Sequence, residues 1–417
     1  MYVVFAGGVA IASLARESGM SGDKSSARSF DVTVDDRIPF AVPDIGEEEI
    51  EAVTEALRSG WLTTGRNAAA FESEFSAELG DPSVHAIAVN SATAGLHLAL
   101  ESVGVQPGDE VLVPDWTFTS TAEVVRYCGA TPVIVDVDPV TLNIDLEAAQ
   151  RAVTERTKII MPVHFAGLAM DLGAVAGFAE RNGLRVVEDA AHAHPTTHNG
   201  VRVGLGTSDC VVFSFYATKT MTTGEGGMVV TRDEALAKRM RTMRLHGISR
   251  DVFDRYTSDK PSWQYEVVAP GFKYNLTDTA AAMGRVQLRR AGQMRDARAG
   301  IAHRYLEAFA DLPVVLPQDA AQESQHSWHL FVLRLTDEAP INRNEFIEKM
   351  SALGVLCSVH FIPLHLHPYW RDSGSLQEAD FPVASDAFTR AVSLPIFSAM
   401  TGEQVDRVIA AVRELLA

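Results

Sequence analysis

Lys219 lies in an almost uncharged segment, residues 214–228, between an apolar run and a glycine-rich stretch. Most lysines are solvated surface charges, but a lysine in apolar surroundings can lose its proton and act as a Schiff-base amine. Ser214, at the end of the apolar run, could contact a phosphate. The glycines lack the G-x-G-x-x-G spacing of dinucleotide-binding loops and predict a tight turn back into the sheet at 227–231. The segment predicts amine chemistry at Lys219, with a surface charge as the ordinary alternative.

A second chemical signal is Asp189, which ends the apolar strand pattern VVED at 186–189. A carboxylate at the end of a buried strand could pair with a cationic ring nitrogen and hold it protonated. Glu188 should point to the opposite face of the strand, so it receives no catalytic role. Asp189, His192 and His194 could instead bind a metal ion, and that alternative stays open at this point.

Two further loops follow predicted strands. The segment NSATAGL (90–96) joins a strand to a helix through small and hydroxyl residues, which allow backbone N–H groups to approach an anion. The segment DWTFTST (115–121) places Trp116 and Phe118 after another strand, where either ring could stack on a flat heteroaromatic group. Helix capping and core packing are the ordinary alternatives for these residues.

In chain order, these four segments supply a phosphate site, a stacking aromatic ring, a partner for a ring nitrogen and a Schiff-base lysine. One cofactor, pyridoxal 5′-phosphate (PLP), uses all four, because its protonated pyridine acts as an electron sink while its aldehyde bonds to a lysine. PLP is therefore the predicted cofactor, attached through Lys219.

The elements that must position these residues alternate between residues 84 and 230, where short β-rich runs are separated by helical patterns. Runs that are apolar on both faces predict an α/β fold with a mostly parallel sheet, whose ligands bind at the carboxyl ends of the strands. The elements predicted beyond it are a helix near 279–310, strands at 328–335 and 355–361, and helices at 344–354 and 401–417. We predict a large domain over 38–290 and a smaller α+β domain over 291–417.

Bulk composition excludes several classes of protein. The 417 residues carry a net charge of −18, which argues against general nucleic-acid binding. Cys128, Cys210 and Cys357 lie far apart, which fits a reducing compartment, and we expect a cytoplasmic protein. The uncharged run at 2–15 is too short to span a membrane and lacks preceding basic residues, so we interpret residues 1–37 as a disordered extension or a start site placed too early. A signal or anchor is the alternative.

Longer motifs resemble the DegT/DnrJ/EryC1/StrS family of sugar aminotransferases, within the fold-type I PLP enzymes. The resemblance runs from about residue 38 to the C-terminus and is specific because several signatures combine. These are SGWLTTG (59–65), NSATAGLHLAL (90–100), TFTST (117–121), VEDAAHAH (187–194), SFYATKTMTTGEGG (214–227), GFKYNLTD (271–278) and SLPIFSAMT (393–401). Some stretches look most similar to 4-aminotransferases such as UDP-4-amino-4-deoxy-L-arabinose aminotransferase.

The resemblance implies a role for each matching residue. Lys219 bonds to the cofactor and moves the proton, and Asp189 pairs with the pyridine nitrogen. Phe118 stacks on the ring, and His192 lies close to its face or phenolic edge. The residues implied to hold the phosphate are Ala92, Thr93 and Ser214, with Asn275 supplied by the neighbouring subunit of a homodimer. Those implied to lie near the substrate are Thr63 and His360.

The resemblance also implies a reaction, the transfer of an amino group from L-glutamate to the keto carbon, C4 by preference, of a nucleotide-linked sugar. Family members that act on a cyclitol or an aminobenzoate precursor are one alternative, and a non-catalytic PLP-fold regulator is another. Dehydratases of the family carry histidine in place of the lysine, so Lys219 disfavours that activity. His360, His365 and His367 lack a carboxylate or cysteine at ligand spacing, so no metal is predicted.

Overall fold

The computed structural model describes residues 37–249 and 265–417. The interpretation of residues 1–37 as an extension therefore lies, but for Arg37, outside the described residues. The strands are β1 (His85–Val89), β2 (Glu110–Pro114), β3 (Thr131–Val135), β4 (Thr157–Ile160), β5 (Arg185–Asp189), β6 (Thr197–His198), β7 (Val201–Arg202), β8 (Cys210–Ser214), β9 (Gly227–Thr231), β10 (Val314–Val315), β11 (Phe331–Leu335) and β12 (Ala391–Leu394).

Twelve α-helices are present in the described residues. They are α1 (Glu47–Arg58), α2 (Arg66–Leu79), α3 (Ala92–Ser102), α4 (Ser120–Tyr127), α5 (Leu146–Ala152), α6 (Leu172–Asn182), α7 (Glu234–Met243), α8 (Asp278–Ala308), α9 (Arg343–Ala352), α10 (Pro368–Gly374), α11 (Pro382–Arg390) and α12 (Gly402–Leu416). The predicted C-terminal helix is confirmed, and Thr401 caps it by accepting a hydrogen bond from the Gln404 amide. No helix within the described ranges is long and apolar enough to cross a membrane.

The first sheet has seven strands in the order β1-β9-β8-β5-β4-β2-β3. Strands β3, β2, β4, β5 and β8 run parallel, whereas β9 is antiparallel to both β8 and β1. The predicted α/β fold with a mostly parallel sheet is confirmed. The glycine-rich stretch also turns the chain back into the sheet at Gly227, as predicted.

Both faces of this sheet are buried. Successive side chains of a strand point to opposite faces, so neighbouring residues pack in different apolar clusters. Val212 of β8 packs in an apolar cluster that includes residues of α3, α4 and α7. Its neighbour Phe213 packs in another cluster with Phe71 and Phe75 of α2. Because both faces are covered by helices, the open positions for a ligand lie at the carboxyl ends of the strands.

The second sheet, β10-β11-β12, is antiparallel and packs with α8, α9 and α12 around a separate apolar cluster. The predicted strand at 355–361 is wrong, because this segment forms only bridges at Val355 and Ser358. Beyond Ser358 the chain turns toward the first sheet, where Leu364 and His365 donate backbone hydrogen bonds to Asp115. The predicted domain boundary at 290/291 falls inside α8, so the division into two domains stays a prediction.

Candidate active site

The N-terminus of α3 lies against the start of β9. Ser91 caps α3 by accepting a hydrogen bond from the Ala94 amide, which leaves the amides of Ala92 and Thr93 in the first turn free of that cap. A Cβ on Gly227 would lie 2.9 Å from the Ala92 nitrogen, so only glycine allows this approach. Ser214 is the strand partner of Gly227. The structure thus brings Ser214 to Ala92 and Thr93, as predicted for a phosphate site.

Asp189 is buried at the end of β5, with 4% of its surface exposed. Its Oδ2 accepts a hydrogen bond from the Thr121 hydroxyl (2.8 Å), and its Oδ1 accepts one from the Ala191 amide (3.1 Å). Burial raises the pKa of the carboxyl group, whereas these two hydrogen bonds and the charge of Lys219 oppose that rise. In the described part of the chain, the two groups that donate hydrogen bonds to the Asp189 carboxylate, a hydroxyl and a backbone amide, are neutral.

Lys219 follows β8 in a turn in which its amide donates to the Tyr216 carbonyl. The residue keeps some accessible surface, but burial of the amine lowers its pKa to about 8. The charge of Asp189 raises the pKa and that of Arg298 lowers it further. At pH 7, a pKa near 8 leaves roughly one amine in ten neutral, compared with about one in 3,000 for an ordinary lysine. The structure places a readily deprotonated amine within electrostatic reach of Asp189.

His192 lies between the loops that follow β4 and β5. Its Nδ1 accepts a hydrogen bond from the Ala166 amide (3.2 Å), so in the neutral ring the proton is on Nε2. Burial lowers its pKa well below the usual value, and the charge of Lys219 lowers it further. The ring stacks against Phe361, with centroids 5.8 Å apart and an angle of 24° between the ring planes. His192 is therefore a neutral imidazole beside the lysine.

Of the two candidate stacking residues, Trp116 is fully buried and packs edge-on against Phe165 at 6.1 Å. Phe118 is 47% exposed and touches Phe361 with a centroid distance of 6.1 Å. Phe118 is therefore the candidate with a free face, because the ring of Trp116 is covered on all sides.

Three predicted residues lie away from the amine or contact other partners. His360 is buried, its Nδ1 is 2.9 Å from Ser393 Oγ, and burial followed by the charge of Lys219 lowers its pKa to about 3. Asn275 pairs with Val89 at the end of β1, and its Nδ2 donates to Thr64 Oγ1 at 2.7 Å. Thr63, next to Thr64, is exposed. Along the described chain, no hydrogen bond or ion pair joins Asn275 or Thr63 to Lys219.

The histidines considered as metal ligands have other partners. His365 Nδ1 is 2.6 Å from Asp115 Oδ2, and its Nε2 is 3.1 Å from Ser385 Oγ. His194 packs in the core against Phe75, with ring centroids 5.0 Å apart. Within residues 37–249 and 265–417, no group of three or more His, Cys, Asp or Glu side chains is arranged to hold a metal ion.

Known proteins of similar sequence agree with the family resemblance carried by the motifs. The sequence profile of the DegT/DnrJ/EryC1/StrS aminotransferase family matches residues 43–413. The chain belongs to this family. Spore coat polysaccharide biosynthesis protein SpsC of Bacillus subtilis (strain 168) is 45% identical over 381 residues, which cover 91% of this chain and 97% of SpsC. The resemblance seen in the sequence is confirmed.

Two solved structures are similar to this chain over most of their length. Spr1654 of Streptococcus pneumoniae, assigned as a sugar aminotransferase, is known in a PMP-form that is 32% identical, with a TM-score of 0.84 over 91% of this chain and 98% of its own. DesV of S. venezuelae, in complex with a ketimine intermediate, is 34% identical, with a TM-score of 0.80 over 90% and 98%. Spr1654 is also known in a PLP-form. The predicted fold-type I architecture is confirmed, as is PLP as the cofactor of this family.

The residues of this DegT/DnrJ/EryC1/StrS chain fit PLP. Among the described residues, the close approach at Gly227 leaves amides and a serine hydroxyl for a phosphate, and the donors to the buried carboxylate of Asp189 are neutral. A cationic ring nitrogen would offset the desolvation of that carboxylate. The amine of Lys219 and the open face of Phe118 supply the remaining chemistry.

Two residues of the site escaped sequence reasoning. Thr121 bonds Asp189, and its place in the TFTST motif could have suggested it. His329 Nε2 lies 3.5 Å from Lys219 Nζ. Its position just before β11 of the second sheet gave no signal, because the contact depends on how the two sheets pack together.

Proposed function

We propose that this chain is a PLP-dependent sugar aminotransferase that moves an amino group from L-glutamate to the keto carbon, C4 by preference, of a nucleotide-linked sugar. The observation that carries the proposal is that a low-pKa amine, Lys219, lies within electrostatic reach of a buried carboxylate, Asp189. The hydrogen bonds to that carboxylate come from neutral donors. That pair supplies both the base and the ring partner that transamination requires.

Each residue has a defined task in this proposal. PLP, when bound, supplies the electron sink for the carbanion. Lys219 Nζ bonds to the cofactor carbonyl and, once displaced by the amino donor, carries the proton. Asp189 pairs with the ring nitrogen and keeps it protonated, and the Thr121 hydroxyl and the Ala191 amide favour the ionised carboxylate against the effect of burial. Phe118 orients the ring from its exposed face.

The phosphate and the ring edge are assigned to a second group of residues. Ser214 and the amides of Ala92 and Thr93 bind the phosphate at the N-terminus of α3, where the helix dipole favours an anion. His192 presents its Nε2–H, because its Nδ1 is already bonded to the Ala166 amide. That proton is available to the phenolic edge of the ring.

A sugar substrate is supported by the relatives. SpsC is named for polysaccharide biosynthesis, and Spr1654 is assigned as a sugar aminotransferase. The nucleotide linkage and the preference for C4 rest on the sequence resemblance. We place Thr63 and His360 near this substrate. The three thiols, Cys128, Cys210 and Cys357, are unpaired, which supports our proposal of a cytoplasmic location.

A homodimer with shared active sites is also proposed. Asn275 is held at the end of β1 by Val89 and Thr64. The family resemblance assigns its phosphate contact to the site of the partner subunit. Two active sites would then form across one interface.

The reaction is tested by spectroscopy. The purified protein should show a visible band of lysine-bound PLP that glutamate bleaches, and Lys219→Ala should abolish the lysine adduct. A band that glutamate leaves unchanged would exclude transamination with this donor. A panel of UDP-, dTDP- and GDP-linked 4-keto and 3-keto sugars, followed by product mass, then identifies the acceptor.

Shared sites are tested by subunit mixing. Asn275→Ala and Lys219→Ala should each be inactive alone, whereas hybrid dimers regain one intact site and up to about a quarter of the wild-type activity. Wild-type protein mixed with Lys219→Ala serves as the control for subunit exchange. Exchange without recovered activity would contradict the shared site.

A further inference from the structure

His329 lies beside the amine of Lys219, although it belongs to the segment that enters the second sheet. Its Nε2 is 3.5 Å from Lys219 Nζ, and its ring centroid is 4.3 Å from that of His192. Its other nitrogen, Nδ1, is buried and has no hydrogen-bond partner within the described structure. A buried ring nitrogen without a partner is uncommon in folded proteins and calls for a reason.

The backbone around His329 is held in place by contacts with the first sheet. Ser327 Oγ donates to the His192 carbonyl (2.6 Å), and the Leu330 amide donates to the Ala166 carbonyl (3.2 Å). Gly167, with φ of +98°, would place a Cβ in collision with Ser327 Oγ. His329 is therefore positioned by a tight junction of three chain segments and does not depend on a mobile side chain.

The protonation states define what His329 can do. Burial, followed by the charge of Lys219, lowers its pKa well below the usual value, so the ring is neutral at pH 7. A protonated Lys219 can only donate, so Nε2 accepts and the ring proton sits on Nδ1. A neutral Lys219 can accept from Nε2–H instead. His329 can thus bond the amine in either state, and Nδ1 lacks a partner in both.

We propose that His329 is a positioning residue for Lys219, whose Nζ it holds whenever the lysine is not bonded to the cofactor. The inference rests on the proposed function, in which freed Lys219 moves the proton. Neutral Nζ takes a proton from the donor carbon and later delivers that proton to the cofactor, while the C–H electron pair passes to the cofactor. No proton is gained or lost at His329, which keeps the amine aligned between the two transfers.

Three variants separate positioning from packing. His329→Phe keeps an aromatic ring and removes the nitrogen that contacts Lys219. His329→Gln keeps a polar atom near the position of Nε2. His326→Gln is the matched control, because His326 lies in the same segment, is equally buried and stacks on Trp328 at 3.9 Å. Its ring bonds the Trp328 amide and makes no hydrogen bond to Lys219 within the described residues.

The first readout uses cofactor-free protein. Lys219 is acetylated at pH 7 with a small reagent that reacts with amines, and the modification of Lys219 is followed by peptide mass spectrometry. His329→Phe removes the bonds to both forms of the amine, but the bond donated by the ammonium is charge-assisted and the stronger of the two, so the amine is neutral more often and reacts about threefold faster or more. His329→Gln and His326→Gln should label at the wild-type rate.

The second readout is the bleaching of the visible band by glutamate in a single turnover. In His329→Phe the freed amine of Lys219 is misplaced, and we expect bleaching to slow by about 10- to 100-fold. The isotope effect with α-deuterated glutamate should increase, because proton transfer then limits the rate. His329→Gln should restore most of the rate and the wild-type isotope effect.

Wild-type labelling and an unchanged isotope effect in His329→Phe would overturn the proposal, even if the variant melts at a lower temperature. If His329→Phe does not fold, His329→Gln is compared with His329→Asn, whose shorter amide reaches only the position of Nδ1. Equal behaviour of these two would also overturn it. Failure of the proposed function gives a different result, namely a wild-type band that glutamate does not bleach.

Discussion

Two buried aspartates stand at the carboxyl ends of parallel strands in the same sheet. Asp115 directly follows β2, and Asp189 ends β5. Burial raises the pKa of both carboxyl groups. Asp115 binds one residue with both oxygens, because the His365 amide donates to Oδ1 at 2.8 Å and ring Nδ1 lies 2.6 Å from Oδ2. The bonds to Asp189 come from a hydroxyl and an amide.

The difference between them lies in the partners and not in the depth of burial. The partner of Asp115 is a titratable ring inside the fold, and the pair fastens the 364–366 turn to the end of β2. In residues 37–249 and 265–417, the side chain of Asp189 accepts hydrogen bonds from neutral donors alone, while the charge of Lys219 acts on it from a distance. A buried carboxylate that already contacts an ionisable ring of the protein has a structural role. A buried carboxylate that contacts neutral donors is suited to receive a cation from a ligand.

The connection from Asp115 through His365 to Ser385 has the order of a hydrolytic triad. The surrounding charge argues against that chemistry. Asp136 accepts the first free amides of α11, the helix that carries Ser385. Those amides are thus unavailable to stabilise an oxyanion, and a second carboxylate beside them would oppose one. Asp115 is therefore a structural clamp, and Asp189 stays the proposed partner of a ligand.

The sharpest test replaces the charge at Asp189. Asp189→Asn keeps the shape but cannot hold a ring nitrogen protonated, so we expect kcat to fall by about 10²- to 10³-fold or more. Because the buried charge is removed, the Tm of cofactor-free protein should stay the same or rise. Steady-state rates and thermal melts measure the two effects. A large loss of stability with normal turnover would place Asp189 in the structural class.

The opposite result is expected at the clamp. Asp115→Ala leaves the buried His365 ring without its partner, and the free energy of unfolding should fall by about 3 kcal/mol. Denaturant titration measures this loss, and the visible band should persist at saturating PLP. In a double-variant cycle, His365→Ala should cost less in the Asp115→Ala background than in wild type. Additive losses would show that the two residues are not coupled.

A third test uses pH to show that Asp189 acts on Lys219 and Asp115 does not. Neutral Nζ is the reactive form, so the rate of PLP attachment should rise with pH as one proton leaves near pH 8. Since the charge of Asp189 raises the pKa of Lys219, Asp189→Asn should move this midpoint below 8. Asp115→Ala should leave it unchanged. A shift upward in Asp189→Asn would contradict the assigned electrostatics.

The sequence predicted the features that are set locally. The mostly parallel sheet follows from short runs that are apolar on both faces, and Asp189 could be placed at a strand end from VVED alone. Lys219 and Ser214 were found because the segment around them is almost uncharged. The predicted roles of these residues stay predictions until the variants are made.

Contacts between distant segments could not be predicted in the same way. The strand expected at 355–361 has a suitable pattern, but tertiary contacts from His365 to Asp115 redirect the chain. His329 meets Lys219 only because the two sheets pack together across 110 residues of sequence. No local spacing distinguishes such a histidine from an ordinary residue in the core.

The smallest effect is expected from Thr121, which tunes Asp189 without carrying charge. Its hydroxyl has one proton and donates it to Asp189, so Thr117, 2.8 Å away, must donate to Thr121 in turn. Thr121→Val removes one donor from the carboxylate, and we expect kcat/KM to fall by about 5- to 10-fold, the equivalent of one hydrogen bond. Thr117→Val is the matched control, because it leaves the bond to Asp189 intact and should cost clearly less. If both variants lose activity equally, the chain of hydroxyl groups acts through local packing, and the distinction between Asp189 and Asp115 rests on charge alone.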